Sequence, residues 1–86
     1  RIGLVNRIVA EADLDAHVAD VVGRIAAGPP LALSMSKALL NNGGQTSMSQ
    51  ALEAEGQAQA TNFGTQDTRE AAQAWIEKRQ PEFEGH

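Results

Sequence analysis

The chain has 86 residues, with 7 Lys and Arg against 11 Asp and Glu, for a formal net charge of −4. That balance argues against a nucleic-acid surface, which needs a basic face, and no apolar run reaches the roughly 18 residues of a membrane span. With no Cys, neither a disulfide nor a thiolate metal cage can form, and a reducing cytoplasm fits. Two Phe, one Trp and no Tyr leave an aliphatic, alanine-rich set of core residues. A chain of this length buries only roughly 60–65% of its unfolded surface, so its independent stability is marginal.

Ile2 to Val9 is apolar and β-branched, which suits a buried strand or extended segment. Nothing later reads as a second strand. A lone buried strand leaves backbone donors and acceptors unsatisfied, so the segment calls for a sheet that residues 1–86 do not contain.

Four helices are expected after it. The first spans about Asp13 to Ala27, with Leu14, Val18, Val21, Val22 and Ile25 on one stripe, and stops at Gly28. Pro29-Pro30 opens the second, since proline is tolerated in a first helical turn. It runs to about Asn41, where Asn42-Gly43-Gly44 breaks it. Ser47 with Gln50 makes a capping box for the third, which runs to Phe63 before Gly64. Asp67 with Glu70 offers an acidic cap for the fourth, expected to continue to about Gln80 and to end at Pro81.

Two of these helices carry polar residues on apolar faces. On the third, Met48, Leu52, Glu55, Gly56, Gln59 and Phe63 share one face, so Glu55 requires a partner or a wet edge. The alternatives are a structural ion pair or a shallow, exposed helix, and Glu55 or Gln59 bordering a ligand cavity or a subunit contact. On the fourth, Ala72, Trp75, Ile76 and Arg79 define the apolar face, with Lys78 on its flank beside Trp75. Arg79 is therefore expected in a semi-buried salt bridge, with Glu55 as the in-chain candidate and a neighbouring subunit's carboxylate as the alternative. Lys78 is expected to reach outward. Cations at a helix carboxyl end also gain about 0.3–1 kcal/mol from the helix dipole alone. No nucleophile–base pair is visible, since Ser34, Ser36, Ser47 and Ser49 lack a nearby His. His17 and His86 have no second ligand at helical spacing, so a metal site is not expected.

Several pieces, in order, resemble the carboxyl-terminal region of the enoyl-CoA hydratase/isomerase (crotonase) family. They are Gly3-Leu4-Val5-Asn6, Ile25-Ala26-Ala27-Gly28-Pro29, Lys37-Ala38-Leu39, Glu55 with Gln59, Asp67 with Glu70, and Glu77-Lys78-Arg79 followed by Pro81 and Phe83. The resemblance implies a mainly α fold: the helical end of a spiral of ββα units, four helices preceded by a short strand. Residues 1–10 are then the last strand or extended segment of the core, and residues 11–86 the helical region that covers the site and joins subunits. It implies a coenzyme A thioester as substrate, no separate cofactor, and a homo-oligomer, a trimer or a dimer of trimers. Hydration of 2-enoyl-CoA thioesters is the leading activity. Isomerisation, hydrolysis and carbon–carbon cleavage are alternatives within the family, and a non-catalytic helical oligomerisation module is the alternative outside it. The family's catalytic groups fall upstream, so no residue here is assigned a catalytic role and the segment alone is expected to be inactive. Lys78 matches the lysine of the terminal Glu-Lys-Arg motif, which implies contact with the phosphate or adenine end of CoA. Gln59 matches a position near that end which is aromatic in some members, a weaker assignment. Trp75 stands where the family usually has Phe.

Overall fold

A computed structural model describes residues 2–86 as a short 3-10 turn, Glu11–Asp13, followed by four α-helices. These are α1 (Leu14–Ala26), α2 (Pro30–Gly43), α3 (Met48–Phe63) and α4 (Gln66–Glu77). Residues before Glu11 contain no strand among those described. Ile2, Leu4, Val5 and Ile8 lie open to solvent, so the β-branched segment has the composition of a strand and no ladder to join.

Local chemistry accounts for most helix ends. Pro30 occupies the first turn of α2, where its missing N–H costs no intrahelical bond. Ser47 caps α3 as a reciprocal box: its hydroxyl accepts the Gln50 N–H at 3.2 Å, and the Gln50 side-chain oxygen accepts the Ser47 N–H at 3.0 Å. The cap of α4 is Thr65, not Asp67. The Thr65 hydroxyl accepts the Thr68 N–H at 3.1 Å, while the Thr65 and Thr68 hydroxyls both reach the Asn62 carbonyl, at 2.7 and 2.6 Å. This knot ties the end of α3 to the start of α4.

The carboxyl end differs most from expectation. Helix α4 stops at Glu77, three residues before Gln80, because Lys78 takes a left-handed conformation (φ 55°, ψ 40°). The Arg79 N–H then turns back to the Ala74 carbonyl at 3.0 Å and the Lys78 N–H to the Trp75 carbonyl at 3.3 Å. That is a Schellman ending, and glycine is its usual occupant at the left-handed position. Pro81 lies in the extended tail beyond it.

Asp67 and Glu70 hold that tail rather than capping the helix. The Asp67 carboxylate accepts the Glu84 and Gly85 N–H groups at 2.8 and 2.9 Å, and its own N–H donates to the His86 carbonyl at 2.9 Å. One turn on, Glu70 accepts the Glu82 N–H at 2.9 Å. Gly85 adopts φ 83°, open to glycine, with the Pro30 ring 3.6 Å from where a Cβ would stand. The tail thus runs back along α4 and meets the start of α2.

The helices leave their apolar stripes uncovered. Ala74, 1% exposed, is the buried hydrophobic residue among those described, and Leu14, Val18, Val22, Ile25, Leu52, Phe63 and Ile76 are all exposed. Among the described residues, α2 and α3 are the helix pair that packs extensively. The radius of gyration is 16.3 Å, where a compact chain of this length has about 12 Å. The accessible surface is 7401 Å², roughly half as much again as the ~4,900 Å² of a compact protein of this mass. The helices form an open slab of 43 × 40 × 18 Å whose apolar stripes stay exposed. No helix among the described residues is long and apolar enough to cross a membrane.

Candidate functional site

The Schellman turn gathers Trp75, Lys78 and Arg79 around one shallow depression of about 400 Å³, floored by Ala74. Trp75 is 84% exposed, an indole face open to solvent rather than a core residue. Lys78 beside it is exposed and makes no salt bridge among the described residues.

Arg79 is engaged. Its guanidinium donates two bonds to Glu70, Nη1 to Oε1 at 2.5 Å and Nη2 to Oε2 at 2.9 Å, and Nε donates to Glu77 at 2.5 Å. Glu55 is therefore not the partner of Arg79. The helical wheel that put Arg79 on the apolar stripe assumed an unbroken helix to Gln80, whereas the left-handed turn at Lys78 swings it onto the Glu70 and Glu77 side. The Arg79 and Glu70 side chains are 40% and 24% exposed. The ion pair is partly exposed and joins Glu70 within α4 to the turn beyond its end.

The pair shifts the ionisation of its members. Hydrogen bonding from Arg79, with the Glu82 N–H second, lowers the Glu70 carboxyl from 4.5 to about 2. Glu77 is lowered too, by its bonds from Gln73 and Arg79, and Arg79 is raised by its bonds to Glu70 and Glu77. A depressed carboxyl contributes stability that is complete above its unfolded value and lost as pH falls through its folded one. The melting-temperature difference between wild type and Glu70→Gln should therefore be full above about pH 4.5 and vanish towards pH 2. A constant difference across acid thermal scans would remove the pair from the stability account.

Glu55 and Gln59 sit elsewhere. Both line a small cavity of about 140 Å³ between α2 and α3, with Met35, Leu39 and Asn62. Glu55 also borders the neighbouring, larger groove of about 440 Å³ that includes Leu40, Thr46 and Ala54. Glu55 is exposed, so the wet edge, not an ion pair, resolves its place on the apolar face. No described depression is lined by both Gln59 and Lys78.

The turn at Lys78 thus presents a planar apolar ring beside an unpaired ammonium, with the neighbouring guanidinium already neutralised. Such a surface suits a ligand that combines a flat ring with anionic groups. A family model described as enoyl-CoA hydratase/isomerase matches residues 1–86. The chain belongs to that family. A crotonyl-CoA hydratase from Syntrophomonas wolfei is 41% identical over 83 residues, covering 96% of this chain and 32% of that protein. A short-chain-enoyl-CoA hydratase from Clostridium acetobutylicum is 37% identical over 82 residues, covering 95% of this chain and 31% of its own length. Among solved structures, an enoyl-CoA hydratase from Bacillus anthracis superimposes with a TM-score of 0.92 at 32% identity, over 98% of this chain and 33% of that one. One from Mycobacterium smegmatis gives 0.85 at 36% identity, over 95% and 32%. The chain spans about a third of the length of the curated relatives it matches, and the matched part is their C-terminal helical region. The uncovered stripes of this family member lie in a region that its relatives carry as part of much longer chains.

Two features escaped sequence reading. The Thr65-x-x-Thr68 spacing was available as a cap signal but lay beneath the acidic pair two residues on. The left-handed Lys78 was not foreseen, because the position that usually takes glycine holds a lysine here.

Proposed function

We propose that this chain is the C-terminal region of an enoyl-CoA hydratase-like enzyme, which adds water across the double bond of a 2-enoyl-CoA thioester. The match of the whole chain to the enoyl-CoA hydratase/isomerase family carries the reading, and two relatives named as hydratases support its choice of reaction. In that reaction a water oxygen bonds to C3 and a proton is delivered to C2. The groups that do this belong to other parts of the enzyme, and this region binds and covers. Lys78 contacts the phosphate-bearing end of CoA as a point charge, with Gln59 a secondary contact. The open apolar stripes of α1 to α4 seat against the enzyme's core and a neighbouring subunit, in a trimer or a dimer of trimers. A cytoplasmic setting accords with a chain that has no Cys.

The test is turnover of the full-length enzyme on a short 2-enoyl-CoA. Reversible loss of the conjugated thioester absorbance with formation of the 3-hydroxyacyl-CoA, and no activity from residues 1–86 alone, is expected. Release of free CoA would instead make the enzyme a hydrolase, and double-bond migration without water uptake an isomerase.

A further inference from the structure

We infer that Glu70 is a positioning residue for Lys78, acting through the clamp it places on Arg79. The inference rests on Lys78 being a ligand contact, as proposed above. Lys78 is the non-glycine residue with positive φ among those described. A lysine has no intrinsic reason to occupy a site that glycine fills more easily. A left-handed backbone at a residue other than glycine persists where surrounding contacts hold it.

The contacts that impose it converge on Arg79. Its N–H closes the Schellman turn on Ala74, and its guanidinium is gripped by both oxygens of Glu70 and by Glu77. Glu70 sits mid-helix on α4 and also receives the tail at Glu82, so the anchor is rigid on two sides. Lys78 lies between two fixed residues, Glu77 and Arg79. Only its side chain is left to order when ligand binds, which lowers the entropic cost of that contact.

The competing state is legible in the sequence. Without the clamp, α4 can extend through Lys78 and Arg79 towards the residue before Pro81, which keeps Lys78 within a turn of Trp75 but takes it out of the left-handed turn and redirects its side chain. The Glu70–Arg79 pair selects the bent ending over the straight one.

The experiment is a double-mutant cycle in the full-length enzyme, with KM read on a 2-enoyl-CoA and on the matching enoyl-pantetheine thioester. Glu70→Gln should raise KM for the CoA substrate about threefold or more while leaving kcat and the pantetheine substrate unchanged. In a Lys78→Ala background, Glu70→Gln should add nothing to KM. Arg79→Lys, which keeps the charge but cannot form the bidentate fork, should behave like Glu70→Gln and serves if that variant folds poorly. Asp67→Asn, which loosens the far end of the same tail, should leave KM unchanged. Equal losses on both substrates, or a full additional rise in KM in the Lys78→Ala background, would reduce Glu70 to a structural role. If Lys78→Ala itself leaves KM unaltered, it is the ligand assignment that fails.

Discussion

Replacing Lys78 with Ala in the full-length enzyme should raise KM for an acyl-CoA substrate about tenfold or more. A charge-assisted contact to a phosphate is worth roughly 1.5–3 kcal/mol, and about 1.4 kcal/mol is a factor of ten in affinity. Within this region the attraction must come from local geometry, because its 86 residues carry a net charge of −4. The effect should shrink as salt is added, since Lys78 is exposed and screened. A pantetheine thioester, lacking the nucleotide, should be nearly indifferent to the change. Lys78→Gly is the informative partner variant. It loses the same amine but relieves a left-handed residue that costs about 1–2 kcal/mol for an L-amino acid, so it should melt no lower than Lys78→Ala. If both substrates lose turnover equally, Lys78 supports the fold or a subunit contact and does not bind the nucleotide.

Asp67→Ala should be the most destabilising single change in this region. Asp67 is 3% exposed, and its carboxylate is the acceptor for two tail N–H groups. Hydrogen bonds to a charged group are worth about 1.5–3 kcal/mol, so a loss of about 2–3 kcal/mol is expected. Asp67→Asn keeps one carbonyl acceptor and should fall between. The diagnostic is hydrogen exchange at the Glu84 and Gly85 amides, which should accelerate together in Asp67→Ala. If those amides exchange at the wild-type rate, the tail is held by something other than Asp67.

Helices governed by their own ends were legible in the sequence. The Pro29-Pro30 start, the Ser47–Gln50 box and the glycines after α1 and α3 are local devices, and each lies within a residue or two of its expected place. The end of α4 was not legible: the helical pattern continues to Gln80, whereas the chain turns at Lys78 and Arg79 bonds Glu70, nine residues back. The same cause misdirected the partner of Arg79: once the helix bends, an acidic residue on the supposed wet face becomes the nearest carboxylate. Asp67 was visible as a purposeful acid but not as a tail anchor, since the amides it binds lie seventeen and eighteen residues away. Lys78 was reached through the family resemblance, and the geometry adds what spacing could not, a strained backbone beside an open indole.

The apolar stripes of α1 to α4 have no cover among the described residues, and sedimentation of residues 1–86 alone at high micromolar concentration shows whether they seek one. An excess of exposed apolar surface on this scale drives association. The expected result is a helical chain that self-associates, with a weight-average mass rising with concentration. A monomer of constant mass that unfolds in a single cooperative transition would mean that the stripes need no partner.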